Sequence, residues 1–293
     1  LSKIRGLRVF SRSAVLAYRD KPVTPAHVGR QLHAAYVLEG SVRREGLRLR
    51  LNAKLVETAT GHAVWAERYD RQREDVFAIQ DEIAHCIAGA LRLVLTETEK
   101  RAIAKPPTAD VHAYDFYLRG RQFFHQFRRK GFDFARQMFA RAIELDPAYA
   151  RAYAGIADCC AFLYFYWDST EKNLEQADAA SGKALELDPD LAEAHASRGL
   201  TASLKKQYDE AKKEFETAIR LNPHLFEPYY FLARNYYAQG QLEEAVKWFG
   251  EAGRVVPEDY QAPMLMASAL HGLGRQEQAR AAYERGLLAA EKH

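Results

Sequence analysis

The stretch FEPYYFLARNYYAQGQLEEAVKWFGEAGRVVP, residues 226–257, decides the fold of this chain. Its small residues, such as Ala233 and Ala245, recur among aromatic residues at the spacing of two amphipathic helices. Gly240 stands between the two helical patterns, where a turn is needed. Pro257 closes the unit, because proline cannot continue a helical hydrogen-bond ladder. The stretch therefore predicts a hairpin of two antiparallel helices.

The same pattern recurs along the rest of the chain. Pro147, Pro189, Pro223 and Pro257 follow similar helix ends, and successive prolines are 42, 34 and 34 residues apart. A fixed period of this length is typical of repeat architectures. The longer interval carries its excess at 162–172, FLYFYWDSTEK, which is predicted to be either an extended first helix or an aromatic-rich loop.

A 34-residue period with these small and large residues resembles the tetratricopeptide repeat, abbreviated TPR. The resemblance implies a mainly α protein, in which a right-handed TPR superhelix, an α-α solenoid, follows a small α/β domain. Arg198 departs from the pattern, since a leucine is usual there, and its contact is expected to be looser or made by the arginine stem. The array is predicted to comprise five repeats, at 116–149, 150–191, 192–225, 226–259 and 260–293.

The predicted α/β domain, residues 1–103, follows a different rhythm. Apolar and polar residues alternate from Leu47 to Leu55, which predicts a strand with one buried face. Flanking strands are predicted at 36–43 and 63–69, joined by turns at Glu45–Gly46 and at 58–61, so that an antiparallel β meander forms.

The rest of this domain is predicted to be helical, apart from a short strand at 8–12. Thr24 before Pro25 predicts the start of a helix that runs to about Leu32. Asp75 is predicted to cap a second helix. The apolar residues of that helix recur at helical spacing, and they are Val76, Ile79, Ile83, Ile87 and Val94.

The run from Tyr36 to Ala84 looks like a domain similar to the N-terminal domain of the TolB and FlgO families. In bacterial signalling proteins this domain precedes TPR arrays. The resemblance implies an upstream module that is either a class III adenylate or guanylate cyclase or a winged-helix regulator of the CadC type. The chain begins at Leu1 without a methionine, and we expect it to be part of a longer protein. A linker is predicted at 104–115, which contains Pro106 and Pro107.

Charge and hydropathy exclude several functions at this stage. A net charge of +3 from 42 basic and 39 acidic residues is too balanced for a nucleic-acid-binding surface. Apolar runs are interrupted by charged residues well before about 18 positions, so no membrane span is expected. A soluble protein is predicted, and a cytoplasmic location is favoured over a periplasmic one.

Catalytic and cofactor motifs are not found in the sequence. Neither a glycine-rich phosphate loop nor a zinc-binding His or Cys motif is present, so no cofactor, metal or catalytic residue is predicted. Cys159 and Cys160 are interpreted as core residues rather than a redox pair. Trp65 and Trp248 are interpreted in the same way. The arginines of the meander are expected to form a solvated face rather than an anion site, and they are Arg43, Arg44, Arg48 and Arg50.

The resemblance to TPR proteins also implies where a partner would bind, namely along the first helices of the repeats. The TPR residues that a two-carboxylate clamp requires are replaced in this chain, which argues against a chaperone-tail adaptor. A protein or peptide ligand is therefore predicted, and self-association remains an alternative. Tyr230, Arg234 and Tyr237 are the strongest candidates, because tyrosine and arginine are typical of binding hot spots. The full set of predicted groove residues is Arg151, Asp158, Phe162, Glu193, Leu200, Glu227, Tyr230, Arg234, Tyr237, Gln261 and Met264.

Overall fold

This computed structural model describes residues 21–46, 48–104 and 106–291, together with seven positions before residue 21. The chain divides into two compact units, Leu1–Pro106 and Pro107–His293. Of the strand predicted at 8–12, only Val9 and Phe10 are described and neither lies in a strand. The rest of that prediction falls outside the described residues.

The first unit contains the predicted antiparallel meander. Strands β1 (Tyr36–Glu45), β2 (Arg48–Glu57) and β3 (Ala63–Gln72) pair in the order β1-β2-β3. Ala53 and Leu55 of β2 are buried while Asn52 and Lys54 are exposed, as the alternation predicted, and the alternation ends at Val56, which is also buried. The two outer strands, β1 and β3, extend two and three residues further than predicted, because Arg48 of β2 still pairs with Glu45 on one side and with Gln72 on the other.

The helices of the first unit confirm one prediction and correct another. Helix α1 (Pro25–Leu32) begins after Thr24, whose hydroxyl accepts a hydrogen bond from the His27 N–H at 3.3 Å. Asp75 precedes helix α2 (Val76–Ala90) but caps no N–H of it, because its carboxylate accepts from the Gln72 N–H instead. Helix α3 (Glu97–Ala104) completes the unit.

Val94 was predicted to lie in α2, and this was wrong. The helix ends at Ala90, and Arg92 adopts a left-handed backbone with φ of 54°. The Leu93 N–H then bonds to the Ala88 carbonyl at 2.8 Å, which satisfies a carbonyl that the helix end leaves open. Val94 lies beyond this stop and is 94 % exposed.

The second unit consists of helix hairpins in sequence. The first helix begins at Val111, five residues before the predicted array, because Asp110 accepts hydrogen bonds from the N–H groups of His112 and Ala113. The helices are α4 (Val111–Phe124), α5 (Arg129–Leu145), α6 (Ala150–Tyr166), α7 (Glu171–Leu187), α8 (Ala192–Leu204), α9 (Tyr208–Leu221), α10 (Phe226–Ala238), α11 (Leu242–Val255), α12 (Gln261–Gly272) and α13 (Gln276–Ala290). We call the even-numbered helices from α4 onward the first helices of the repeats, and the odd-numbered ones the second helices.

The stretch 162–172, which the sequence left open between a helix and a loop, is largely helical. Helix α6 has 17 residues and runs to Tyr166, whereas α8 and α10 each have 13. The chain then leaves the helix through Trp167 and resumes helix at Glu171. The insertion therefore lengthens a first helix by about one turn and gives it an aromatic end.

The contact of Arg198, which was expected to be looser or made by the arginine stem, includes two ion pairs of its guanidinium. Its guanidinium contacts Asp178 of α7 at 2.5 Å and Glu210 of α9 at 3.0 Å. The side chain is only 23 % exposed, so the charge lies where a leucine would otherwise pack. These two ion pairs connect the neighbouring second helices of the array through Arg198.

The turns of the last three hairpins each contain a left-handed residue. Lys206, Gly240 and Gly274 have φ values of 62°, 74° and 73° and stand one 34-residue period apart. In each turn the following N–H bonds to a carbonyl five residues back, as in Gln207 to Ala202 at 2.9 Å. Glycine adopts this conformation at no steric cost, whereas Lys206 does not.

We expect Lys206→Gly to raise the free energy of unfolding by about 0.5 to 1 kcal/mol, because it removes the strain of the left-handed backbone. The Lys206 side chain is exposed, so little packing is lost. The matched change Gly240→Ala should destabilise by about the same amount. Urea denaturation followed by circular dichroism measures both, and a destabilising Lys206→Gly would contradict the argument.

Candidate functional site

The predicted groove residues all lie on first helices of the repeats. Arg151, Asp158 and Phe162 are on α6, and Glu227 begins the set on α10. Their exposure differs, since Leu200 and Tyr230 are only 5 % exposed whereas Tyr237 is 39 % exposed. The remaining members are Glu193 on α8, Arg234 and Tyr237 on α10, and Gln261 and Met264 on α12.

A polar cluster joins α4, α6 and α8, and it comprises Arg121, Arg151, Asp158, Glu193 and Ser197. Arg151 pairs with Glu193 across neighbouring repeats, with Nη2 and Oε1 3.5 Å apart. The Glu193 carboxylate raises the pKa of Arg151 above its usual range. The pair fixes two side chains in the surface that the first helices form.

Asp158 is the unusual member of the polar cluster. Burial raises the pKa of its carboxyl to about 7, although the Ser197 hydroxyl and the Arg121 charge oppose the change. The Ser197 Oγ lies 2.6 Å from Asp158 Oδ1, 2.9 Å from the Glu193 carbonyl and 3.4 Å from the Ala154 carbonyl. The Ser197 hydroxyl donates to the Asp158 carboxylate, which is why it opposes the rise in the pKa of that carboxyl.

Arg121 on α4 belongs to this cluster but was not predicted from the sequence. Burial alone would lower the pKa of its guanidinium, yet Tyr117, Asp158 and Glu227 raise it above the usual value. Arg121 thus places a cation among the carboxylates of later repeats. Because the pKa of Asp158 is about 7, its carboxyl carries only about half a negative charge at pH 7, and the two arginines of the cluster face less negative charge than two ionised carboxylates would supply.

The aromatic end of α6 reaches α10 and so connects repeats that are not adjacent in sequence. The Phe162 ring lies 5.8 Å from the Phe231 ring between centroids. The Arg234 guanidinium sits over the Phe165 ring at 4.4 Å and over the Tyr230 ring at 5.7 Å. An arginine stacked on aromatic faces keeps its charge while its orientation is fixed.

The tyrosine hydroxyls hold Arg234 as well. Its Nη1 donates to the hydroxyl oxygens of Tyr230 at 3.3 Å and Tyr166 at 3.4 Å. Tyr230 in turn donates to Gln261 Oε1 at 3.1 Å, which leaves its oxygen free to accept from Arg234. Tyr230 and Gln261 therefore position Arg234, whereas Tyr237, one turn further along α10, is 39 % exposed.

Met264 turns towards its own hairpin. Its Sδ and Cγ occupy the space that a Cβ would take at Gly286 on α13, at 3.0 and 2.8 Å. This contact packs the last repeat. Met264 therefore has a packing role, as do the buried Leu200 and Tyr230.

The described residues offer no constellation for catalysis by a metal. Among them, no group of three or more His, Cys, Asp or Glu side chains could hold a metal ion. Cys159 and Cys160 are buried in the helix packing, as predicted, and burial raises the pKa of both thiols. In the same part of the chain, no helix has the length and apolar character that a bilayer crossing requires.

Family models support the repeat architecture. Residues 203–262 and 261–293 each match a model described as tetratricopeptide repeat. Together with the succession of helix hairpins, these matches define the second unit as a TPR solenoid. The chain as a whole is mainly α, with a small antiparallel sheet in its first unit.

Known proteins resemble the chain in sequence and in fold. "Putative adenylate cyclase 3" of Rhizobium meliloti (strain 1021) is 38% identical over 214 residues, which cover 72% of this chain and 36% of that protein. The chain thus spans about a third of the length of this relative. PilF of Pseudomonas aeruginosa is 21% identical, with a TM-score of 0.50 over 61% of this chain and 76% of its own. MamA of Desulfovibrio magneticus RS-1 is 16% identical, with a TM-score of 0.46 over 62% and 97%.

Proposed function

We propose that this chain is a non-catalytic interaction and regulatory module of a bacterial signalling protein, and that it binds a partner protein or peptide along the first helices of its repeats. The observation that carries the proposal is Arg234, a guanidinium held among aromatic rings beside the exposed Tyr237. Arginine and tyrosine dominate binding energy at protein interfaces. The TPR architecture supports the proposal, because such arrays form extended binding surfaces.

Photocrosslinking in the native host tests where the partner binds. Tyr237 on α10 and Tyr283 on α13 are 39 % and 52 % exposed, so each can be replaced by benzoylphenylalanine without disturbing a core. We expect a discrete partner adduct from position 237, because it lies on a first helix, and none from position 283. An adduct only at position 283 would place the interaction on the second helices and contradict the proposal.

A second candidate function concerns the protein to which the chain belongs. The chain would be the regulatory C-terminal half of a class III adenylate cyclase, in the cytoplasm where the nucleotide substrate is made. The relative named as an adenylate cyclase favours this candidate over a winged-helix regulator, because the match covers most of this chain. The TolB-like character of the first unit stays a prediction, as does self-association.

The coding sequence before Leu1 tests the second candidate. A cyclase domain with its pair of metal-binding aspartates would support it. A winged-helix segment would contradict it and assign the chain to a transcription regulator. Either result leaves the proposed binding surface on the first helices to be tested by the crosslinks.

A further inference from the structure

Arg234 has hydrogen-bond donors that no residue in the described part of the chain accepts. Its two described hydrogen bonds both come from Nη1, to the hydroxyls of Tyr166 and Tyr230. A guanidinium has five N–H groups, of which three are on Nε and Nη2. Those three donate to no described residue. Nε and Nη2 form the edge that matches a carboxylate bidentately.

The charge of Arg234 also lacks a counterion within the described part of the chain. No Asp or Glu oxygen there lies within 4.0 Å of it, whereas Arg151 and Arg198 both have such partners. Arg234 is partly buried and its nearest ring, Phe165, is 4.4 Å away. A partly desolvated charge is stabilised by an opposite charge, so this site favours an anion from outside the chain.

Exposed aromatic rings continue from Arg234, and we call Phe127, Phe165, Tyr166 and Trp167 the aromatic rim. Each of these side chains is between 37 % and 44 % exposed, although large apolar side chains are usually hidden. Neighbouring rings are close, with centroids 4.6 Å apart for Phe165 and Tyr166 and 5.4 Å apart for Phe127 and Tyr166. The rim is therefore one continuous surface.

Phe127 is held in this rim against its backbone preference. Its φ is 49°, in the left-handed region that bulky residues rarely adopt, while later hairpin turns have Gly240 and Gly274 in this region. Strain of this kind persists where the surrounding structure fixes it, and it clusters at functional sites. The strained backbone at Phe127 therefore supports a role in binding for its exposed ring.

We propose that Arg234 and the aromatic rim bind a peptide segment that carries a carboxylate next to an aromatic or leucine side chain. The carboxylate pairs with Nε and Nη2 of Arg234, and the apolar side chain packs on the rim. This inference rests on the proposed function and names the chemistry of the partner. The carboxylate belongs either to an Asp or Glu side chain or to a C-terminus, and both meet the same fork.

Peptide geometry sets the spacing of the two groups. In an extended chain, side chains two residues apart point to the same side and are about 6.5 to 7 Å apart. The Arg234 Cζ lies 4.4 Å from the Phe165 centroid, and the Phe165 and Tyr166 centroids are 4.6 Å apart, so the rings of the rim lie within one side-chain spacing of the guanidinium. An acid at one position and an apolar residue two positions away therefore reach the two halves of the site together.

A synthetic decapeptide library tests the proposal with the full 293-residue chain immobilised. Every member is N-acetylated, and the library is made once with a C-terminal amide and once with a free carboxylate. We expect Asp or Glu, with an aromatic or leucine residue two positions away, to be enriched among bound peptides. Enrichment in the amidated library identifies a side-chain carboxylate, and enrichment restricted to the free form identifies a C-terminus.

Substitutions of Arg234 then measure how much the Nε and Nη2 edge of its guanidinium contributes to peptide affinity. For a selected peptide with a fluorescent label, Arg234→Gln should raise the Kd at least about tenfold, because the paired charge is lost. Arg234→Lys keeps the charge but not the fork, so it should lie between Gln and wild type. Lys213→Gln, on the exposed face of the second helix α9, removes an equal charge elsewhere and should leave the Kd unchanged.

The outcomes separate this inference from the proposed function. Selected peptides without an acid, or a Kd for Arg234→Gln within about twofold of wild type, would overturn the inference while leaving peptide binding intact. Binding of no peptide, together with no adduct at Tyr237, would overturn both. Arg234→Lys keeps the test valid if Arg234→Gln fails to fold, and circular dichroism establishes the folded state of each variant.

Discussion

Replacing Phe139 by alanine is expected to lower the free energy of unfolding by about 3 to 5 kcal/mol, the usual cost of emptying the site of a buried aromatic ring. The ring has no exposure and wedges between the glycines of two first helices. A Cβ at Gly120 would come within 2.5 Å of it, and one at Gly155 within 2.7 Å. The ring therefore determines how closely α4, α5 and α6 approach. Urea denaturation followed by helical circular dichroism measures the loss.

Gly155 tests the same contact, because the effect of Gly155→Ala on the free energy of unfolding should change sign when Phe139 is replaced by alanine. In the wild-type chain, Gly155→Ala forces a methyl group against Phe139 and should cost about 1 to 3 kcal/mol. In the Phe139→Ala chain the same change enters empty space and adds the helix propensity of alanine, so it should stabilise by about 1 kcal/mol. The matched control is Gly182→Ala on α7, which meets nothing within 4 Å and should stabilise both chains.

Equal costs of Gly155→Ala with and without Phe139 would contradict this account. The helices would then be spaced by contacts other than the ring, and the small residues of the pattern would have no steric role. A reversed sign for Gly155 alone, with Gly182 unchanged, would establish that the alternation of large and small residues fixes the helix spacing.

The repeat architecture was predictable because its determinants are local and periodic. Helices α5, α7, α9 and α11 each end two residues before a proline, at Leu145, Leu187, Leu221 and Val255. Proline stops the helix through its missing N–H and its ring, which is a property of the residue itself. The end of α2 was missed for the opposite reason. Apolar periodicity continues to Val94, and nothing in the pattern marks the left-handed turn at Arg92.

The candidate site was only partly predictable. Tyr117 stands thirty residues before Pro147, as Glu193 stands before Pro223 and Glu227 before Pro257, so the repeat period could have found it. Arg121 lies one turn after Tyr117 on the same helix. Its partners lie on three other helices, and a period aligns equivalent positions without revealing which charges face each other.

The contact between α6 and α10 could not have been predicted from the period at all. In a repeat array each hairpin normally contacts only its immediate neighbours. The extra turn of α6 carries Phe165 and Tyr166 past α8 to Arg234, a residue two repeats away. The insertion 162–172 was visible in the sequence as an excess of eight residues. Which residues this insertion contacts depends on the length and direction of α6 in three dimensions, and the repeat period contains neither.

Asp158→Asn is expected to stabilise the protein at pH 8 by about 2 to 4 kcal/mol and to leave its stability near pH 4 almost unchanged. Burial raises the pKa of this carboxyl from its ordinary 3.8 to about 7. In the unfolded chain the group ionises near pH 4, whereas in the folded chain it holds its proton until about pH 7. The folded state therefore loses stability as the pH rises between these values, and the full loss, about 4 kcal/mol at most, is reached above pH 7.

The test is to measure the free energies of unfolding of the wild type and of the Asp158→Asn variant from pH 4 to pH 8, where only the wild type should lose stability as the pH rises. The groups that face Asp158 are Ser197 and Glu193 on α8, Arg121 on α4 and Glu227 on α10, and Asp158→Asn leaves them in place. The control is Asp209→Asn, an exposed carboxylate in the first turn of α9.

A parallel pH dependence of the two chains would mean that Arg121 and Ser197 stabilise the carboxylate enough to keep it ionised. A wild-type curve that falls towards pH 8 while the curve of the Asp158→Asn variant stays level would establish a neutral acid in the groove. At neutral pH Arg121 would then lack a full counter-charge from Asp158, and Glu193 and Glu227 would be the carboxylates that balance it.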